Sequence, residues 1–152
     1  MKKAELALVV LAIAGLALRI SSVPGGVMLS ALAFLLLALF YLLLSVPYFN
    51  WVPLAGAFRK ATYEAAGIGG FQRFWAAASG LVFCLALLGI LYVLNYWEGA
   101  FFFWCLGMFF LVPVAALSLG KHLLNPHPTY KAIAIRAGVL LLAGIALVAA
   151  QM

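Results

Sequence analysis

The sequence VMLSALAFLLLALFYLLLSVP, residues 27–47, contains no charged side chain in 21 consecutive positions. A helix rises 1.5 Å per residue, so about 20 apolar residues cross the roughly 30 Å hydrocarbon core of a bilayer. A helix also satisfies the backbone polar groups of such a segment within itself, as hydrocarbon requires. The segment therefore predicts a transmembrane helix.

The composition extends this prediction to the whole chain. Of 152 residues, 69% are hydrophobic and 8% are charged, whereas a water-soluble domain typically has about a quarter of its residues charged. A chain this apolar is stable only where lipid replaces water around most of its surface. The composition therefore excludes a water-soluble globular protein and predicts a single integral membrane domain over residues 1–152.

Four other apolar segments are long enough to cross a bilayer. The five predicted transmembrane helices lie at about residues 4–20, 27–47, 76–96, 100–119 and 132–151. The connection before the third helix is different, because residues 55–66 place Arg59, Lys60 and Glu64 beside aromatic side chains. This mixture is typical of a short helix that lies in the membrane surface. The predicted fold class is all-α, a polytopic membrane protein.

The basic residues predict the orientation of these helices. Five helices place eight basic residues on one side of the membrane, namely Lys2, Lys3, Arg59, Lys60, Arg73, Lys121, Lys131 and Arg136. The other side receives only Arg19. Because short cytoplasmic loops carry the excess of Lys and Arg, this division predicts an amino terminus inside the cell and a carboxyl terminus outside. The predicted location is the inner (plasma) membrane, which the chain crosses several times.

The loops on the basic side predict contacts with lipid. The candidate headgroup or interface contacts are Arg59, Lys60, Arg73, Lys121, His122, His127 and Lys131. A net charge of +6 in a soluble protein would raise nucleic acid as a partner, but here the basic residues are dispersed over several short loops. The pattern therefore indicates membrane lipids as partners and no nucleic acid.

Metal binding is an alternative for two of these residues. His122 and His127 are five positions apart, with prolines at 126 and 128, so a helix would not stack them, and no acid or cysteine lies nearby. Cys84 and Cys105 lie in apolar segments without C-x-x-C or zinc-ligand spacing, which leaves open whether the two thiols interact. The sequence predicts no metal and no cofactor.

Ionisable side chains at membrane depth usually indicate function in a membrane protein. Glu5 lies near the start of the first helix, while Glu64 and Glu98 fall outside the predicted transmembrane helices. Arg19 and Arg136 lie about one turn from helix ends, where snorkelling to the interface accounts for them. No acid is predicted near the bilayer midplane, so a proton relay lacks its carrier and no catalytic residue is predicted.

The last helix contains a stripe of small residues. Ala134, Gly138, Ala146 and Ala150 recur at four-residue spacing, with Leu142 between them. Small residues let helices approach closely in lipid, so the stripe is a candidate packing face. The high Ala and Gly content would produce such a stripe by chance about as readily.

The first helical hairpin resembles a known family. The residues Leu18–Gly26, LRISSVPGG, lie between two apolar helices and are similar to the first hairpin of the GldL-like membrane proteins. The resemblance matches Arg19 to the family's basic position and Pro24, Gly25 and Gly26 to its turn. GldL itself is the membrane subunit of a proton-driven gliding and secretion motor, with an intramembrane glutamate and a long cytoplasmic tail. The sequence shows neither feature, so the resemblance implies a shared local fold.

Three classes of function are compatible with these features. The favoured hypothesis is a non-catalytic accessory, scaffold or assembly subunit that contacts another membrane protein or a second copy of the chain. The alternative is a small-molecule or lipid transporter, or a channel formed by oligomerisation. The third is an intramembrane enzyme that uses His122, His127 or Tyr130, so enzymatic activity stays open although the sequence favours none.

Overall fold

The structure, a computed structural model, describes residues 2–53, 55 and 60–149. This part of the chain forms six helices and no strand, which confirms the all-α prediction. The helices are α1 (Lys2–Ile20), α2 (Gly26–Phe49), α3 (Lys60–Ala65), α4 (Gly70–Leu94), α5 (Ala100–Leu124) and α6 (Pro128–Ala149).

Four of these helices, α2, α4, α5 and α6, are long and apolar enough to cross a membrane. The chain is therefore a membrane protein by the length and composition of its helices. The helix α1 has only 19 residues and carries charged residues in its first and last turns, including Glu5 and Arg19. The count of five spans depends on this helix.

Several helices are longer than the sequence predicted. The polar stretch after residue 119 was predicted as a loop, but α5 continues to Leu124 and α6 begins at Pro128. Lys121 and His122 lie in the last turn of α5, where positive charge favours a helix carboxyl end. Proline suits the first position of a helix because the missing N–H has no partner there. Hydropathy identifies the part of a helix that is apolar, and these helices extend beyond it.

The predicted surface helix at residues 55–66 is described only in its second half, as α3. Arg59 and the side chain of Lys60, both predicted to contact headgroups, lie outside the described residues. Ala150, the last member of the predicted stripe, also lies outside them.

Hydrogen bonds between helices define their directions. The Trp75 indole at the start of α4 donates to Ser118 near the end of α5 at 2.8 Å, so these two helices are antiparallel. The Thr129 hydroxyl at the start of α6 donates to the Phe49 carbonyl at the end of α2 at 2.9 Å. Hence α1, α4 and α6 begin at the same end of the bundle, where α2 and α5 end. We call it the basic end, because Lys2, Lys3 and most other described basic residues lie there.

The helix α4 is the centre of the bundle and packs against α2, α5 and α6, while α1 packs along α2. Small residues allow the close approaches. A Cβ added to Gly15 of α1 would lie 2.7 Å from the Ser30 amide nitrogen of α2, and one added to Gly107 of α5 would lie 2.7 Å from the Ala86 Cα of α4. Such contacts between helix backbones are how helices associate in lipid.

The turn between α1 and α2 also depends on glycine. Gly25 has φ 88°, in the left-handed region that glycine adopts without strain. A Cβ added to Gly26 would lie 2.6 Å from the Arg19 amide nitrogen, so only glycine lets α2 start this close to the end of α1.

The predicted small-residue stripe does not face the bundle. The described part of the chain places nothing within 4 Å of a Cβ added to Gly138. Ala134 is half-buried and Ala146 is exposed. The face of α6 that packs inside the chain contains Thr129, Ile133, Ala137 and Gly144. The stripe therefore stays a prediction, as a contact with another chain.

Candidate functional site

An ion pair joins the first and last helices at the basic end. The Arg136 Nε donates to Glu5 Oε1 at 2.7 Å, and Arg136 Nη2 donates to Glu5 Oε2 at 2.9 Å. The Glu5 side chain is 13% exposed and the Arg136 side chain 26%. Two parallel charge-assisted hydrogen bonds fix the geometry of such a pair more strongly than a single contact does.

Two tyrosines of α2 complete the arrangement. The Tyr41 hydroxyl donates to Glu5 Oε1, and the Tyr48 hydroxyl donates to Glu5 Oε2. Arg136 Nη2 also donates to the Tyr48 oxygen, and Arg136 Nη1 donates to the Ala132 carbonyl at 3.1 Å. We call Glu5, Tyr41, Tyr48 and Arg136 the polar cap. Each Glu5 oxygen accepts two hydrogen bonds, so the charge is fully satisfied away from water.

Helix geometry explains why these four side chains meet. Glu5 is in the first turn of α1. Tyr41 and Tyr48 are seven residues apart, so they share one face of α2, and this face reaches the basic end where α2 stops. Arg136 is two turns into α6, but helical side chains point toward the amino end of their helix, so its guanidinium returns toward Glu5.

A cavity of about 360 Å³ begins at the polar cap and runs between four helices. Glu5 and Leu16 of α1 both line it. Eleven residues separate them, which corresponds to about 16 Å along the helix. The other lining side chains include Val9 and Ala12 of α1, Phe34 and Leu37 of α2, Leu87 and Ile90 of α4, and Val139, Leu140 and Ala143 of α6.

The cavity opens sideways, between α1 and α6. Ile13 of α1 and Val139 of α6 line it and are nevertheless 61% and 60% exposed. In a membrane, this opening faces hydrocarbon. Apart from Glu5, Tyr41 and Arg136, all lining side chains are apolar. The cavity therefore has one polar end and an apolar length, which is the shape and chemistry of an amphipathic ligand.

Arg19 is bound at the opposite end of the bundle. Its Nη1 donates to Asn95 Oδ1 at 3.1 Å, and its Nη2 donates to the Leu94 carbonyl. These partners lie at the carboxyl end of α4, where a positive charge interacts favourably with the last carbonyls of the helix. Leu94 also lines the cavity, so Arg19 connects α1 to α4 at the apolar end of the cavity.

The predicted headgroup contacts that the structure describes lie at the basic end, apart from the polar cap. The Lys121 ammonium lies 5.2 Å from the centre of the Phe71 ring, and the Arg73 guanidinium lies 5.8 Å from that of Tyr63. His127 Nδ1 lies 3.2 Å from Gln72 Nε2. His122 is half-buried and Lys131 is exposed. Across residues 2–53, 55 and 60–149, no three His, Cys, Asp or Glu side chains are grouped to hold a metal ion.

The structure corrects the interpretation of Arg136. The sequence placed it one turn from a helix end and explained it by snorkelling, but α6 begins eight residues earlier, at Pro128, and the side chain is paired with Glu5. The directions of the predicted helices could have indicated that Arg136 and Glu5 lie close together. With five helices, the start of the first, the end of the second and the start of the last share one side, so Glu5, Tyr48 and Arg136 were already on that side.

In comparisons with family models, curated proteins and solved structures, the chain matches none of them. The resemblance of the Leu18–Gly26 hairpin to GldL-like proteins therefore stays a prediction.

Proposed function

We propose that the chain crosses the membrane five times, with α1 as the additional span and the basic end in the cytoplasm. The 19 residues of α1 extend about 28 Å, close to the hydrocarbon thickness. Between Glu5 and Arg19 this helix has no charged side chain. The basic residues at the starts of α1, α4 and α6 support this orientation through the positive-inside rule, and we propose the inner (plasma) membrane as the location.

A cysteine at the far end of α6 tests this topology. In a variant without Cys84 and Cys105, Ala149→Cys should react with a membrane-impermeant thiol reagent added outside intact cells. Lys131→Cys, at the other end of the same helix, should react only after the membrane is opened. The reverse pattern would contradict the proposed orientation.

We propose that this membrane protein is non-catalytic and binds a lipid-like molecule in the cavity, with the polar end of the ligand at the polar cap. The observation that carries the proposal is a cavity with one polar end that opens sideways between α1 and α6. Such a site receives its ligand from the bilayer itself. A lipid transporter, the alternative function predicted from the sequence, would require such a binding site.

The dimensions support a hydrocarbon chain as the ligand. The cavity extends about 16 Å from Glu5 to Leu16. One leaflet of a bilayer has a hydrocarbon depth of about 15 Å, half of the whole core. A single acyl or isoprenoid chain therefore fits the cavity along its length.

The polar cap restricts the polar end of the ligand. Glu5 and Arg136 neutralise each other, so a charged headgroup would find no uncompensated partner. Arg136 has five N–H donors, of which Glu5, Tyr48 and the Ala132 carbonyl accept four. The remaining donor suits a neutral acceptor, such as an ester or carbonyl oxygen.

A substitution at the cavity opening tests the proposal. Protein purified in mild detergent is expected to retain a lipid-like molecule that solvent extraction and mass spectrometry detect. Ala143→Phe places a ring in the cavity and should lower the retained ligand about tenfold, equivalent to about 1.4 kcal/mol. Ala146→Phe is the matched control, because Ala146 is exposed on the same helix and does not line the cavity.

The two variants give clear alternatives. Equal ligand content in Ala143→Phe and Ala146→Phe would place the ligand elsewhere on the protein. Purified wild-type protein without any retained lipid-like molecule would contradict the proposal directly.

An accessory role in a membrane complex is the second candidate. The observation that favours it is the open space beside Gly138, where a helix of another membrane protein or of a second copy could approach closely. Mass measurement of the detergent-solubilised protein from native membranes tests this role. A lone monomer would count against it and leave the lipid-binding proposal unaffected.

A further inference from the structure

A second groove, of about 830 Å³, lies at the basic end between the start of α1 and the end of α2. It shares no lining residue with the cavity described above, although Tyr48 of the polar cap also lines the groove. Lys2, Lys3 and Trp51 form its polar rim, and Phe40 and Leu44 of α2 continue it toward the apolar part of the bundle.

The rim carries two positive charges without a compensating acid. Lys2 and Lys3 are both exposed. Glu5, the acid nearest to them in the sequence, is already satisfied by Arg136 and the two tyrosines. Within the described residues neither lysine forms an ion pair with a carboxylate. The groove therefore attracts an anion.

Trp51 holds one of these charges in position. The Lys2 ammonium lies 3.7 Å from the centre of the Trp51 ring, a favourable cation–π distance. Trp51 has φ 60°, in the left-handed region that bulky residues rarely adopt. Its neighbour Val52 donates its amide to the Pro47 carbonyl at 2.9 Å, which closes the end of α2 around this residue. This turn places the Trp51 ring beside the Lys2 ammonium at the rim of the groove.

The apolar part of the groove follows one face of α2. Phe40 and Leu44 are four residues apart, so their side chains lie about one helical turn apart on the same face of α2. The adjoining groove, lined by Leu39 and Leu43 as well, continues from the same two side chains. An apolar track that leads away from a basic rim matches a phospholipid, with its phosphate at the rim and an acyl chain along the helix.

We propose that this groove binds an anionic phospholipid, whose headgroup phosphate interacts with Lys2 and Lys3 and whose acyl chain lies against Phe40 and Leu44. The rim supplies two uncompensated positive charges. It should therefore bind a lipid with a net negative charge more tightly than a zwitterionic lipid. The site requires only that the protein lies in a bilayer. It is independent of any ligand in the cavity.

Spin-labelled lipids test the proposal on the full-length protein. The protein is reconstituted in phosphatidylcholine vesicles that contain trace spin-labelled phosphatidylglycerol or spin-labelled phosphatidylcholine. The fraction of motionally restricted label gives the relative association of each lipid. We expect the wild-type protein to select phosphatidylglycerol, and Lys2→Gln/Lys3→Gln to reduce that selectivity by about fivefold per lysine, since each basic group near the lipid surface contributes about 1 kcal/mol.

Two control variants separate the site from general charge. Lys121→Gln/Lys131→Gln removes the same charge at the same end of the bundle from residues that are also predicted to contact headgroups, and it should lower the selectivity clearly less than Lys2→Gln/Lys3→Gln does. Lys2→Arg/Lys3→Arg keeps the charge and should retain it as well. All variants are compared only after a thermal unfolding measurement shows that they are folded, which the exposure of both lysines leads us to expect.

Each result decides the proposal. Equal losses in Lys2→Gln/Lys3→Gln and Lys121→Gln/Lys131→Gln would show a diffuse charge effect and overturn it. Wild-type protein without selectivity for phosphatidylglycerol would also overturn it. Replacing chloride by inorganic phosphate at constant ionic strength should leave the association unchanged, and its loss would mean that free phosphate, not a lipid, occupies the rim.

Discussion

The Glu5 carboxylate accepts hydrogen bonds from Arg136, Tyr41 and Tyr48, so side chains from three helices depend on one charge. Burial of a charge is costly unless the charge is paired and its hydrogen bonds are complete. In the polar cap both conditions hold for Glu5. The cap therefore contributes stability only as a complete set, and removal of one member leaves the others poorly satisfied.

Loss of the Glu5 charge should destabilise the protein. Glu5→Gln keeps the shape of the side chain but leaves the Arg136 guanidinium without a counter-charge. Removal of one partner costs about 3–5 kcal/mol when a pair is fully buried. Because the Arg136 side chain is 26% exposed, we expect a smaller loss, of about 2 kcal/mol after discounting for screening. Thermal unfolding in detergent measures it.

Two further variants identify the cause of that loss. Lys131→Gln, which removes an exposed charge from the same helix as Arg136, should change the stability by less than about 0.5 kcal/mol. Glu5→Gln/Arg136→Met should be more stable than Glu5→Gln alone, because no unpaired charge is then buried. A double variant as unstable as the single one would show that the cost does not come from unpaired charge.

Sequence reasoning singled out Glu5 and Arg136 of the polar cap, but neither the two tyrosines nor the contacts that join the four side chains. Glu5 and Arg136 each had an adequate local explanation as residues near a helix end. Tyr41 was one of many large residues in a fully apolar helix, so no local pattern marked its hydroxyl. Prediction of this pairing requires both the directions of the helices and the rotation of each helix about its axis. Hydropathy gives only the directions.

At the scale of single helices, the apolar segments were predicted correctly and their ends were not. Residues 27–47 lie entirely within α2 (Gly26–Phe49). In contrast, α4 starts at Gly70 rather than near residue 76, because Gln72 and Arg73 lower the hydropathy without disfavouring a helix. The Gln72 amide donates to the Thr129 hydroxyl at 3.1 Å, which gives this polar turn a partner on α6.

The packing of α4 against α5 depends on the absence of a side chain at Gly107. A Cβ at this position would lie 2.7 Å from the Ala86 Cα, and a backbone atom cannot move aside without shifting a helix. Gly107→Ala should therefore destabilise the protein by about 1–3 kcal/mol, as overpacking of a well-filled interior does. Thermal unfolding in detergent again measures the effect.

Gly138 provides the matched control for this substitution. It also lies inside a long apolar helix, but the described residues leave open space around an added Cβ. Gly138→Ala should be neutral or stabilising by up to about 1 kcal/mol, because alanine has the higher helix propensity. If Gly107→Ala and Gly138→Ala behaved alike, the close approach of α4 and α5 would be in doubt.

At the scale of the whole molecule, the cavity is a consequence of how α1 is attached. The helix α1 packs along α2, and its end residues bind elsewhere, Glu5 to Arg136 of α6 and Arg19 to Asn95, which directly follows α4. Between these two attachments, the middle of α1 leaves space beside α6. Sequence could not predict this space, because it depends on distances between helices that share no local pattern.

The same arrangement predicts a route for the ligand. The opening lies between Ile13 of α1 and Val139 of α6, so a bridge between these positions should close it without filling the cavity. We expect Ile13→Cys/Val139→Cys, in a variant without Cys84 and Cys105 and joined by a cleavable thiol cross-linker, to exchange its retained lipid about tenfold more slowly than the unlinked protein. That slowing corresponds to about 1.4 kcal/mol in the barrier to release. Exchange with isotopically labelled lipid in the vesicle is followed by mass spectrometry.

Cleavage of the linker supplies the control within the same sample. Exchange should return to the unlinked rate, because the cavity and the polar cap are unchanged by the chemistry. A ligand that left equally fast with the linker intact would have another exit, and the gap between α1 and α6 would then not be its path. The hydrogen bonds that join α1 to α6 lie at the basic end, in the polar cap. Separation of the two helices in the middle breaks none of them, which is why we expect the gap between α1 and α6 to act as a lateral gate.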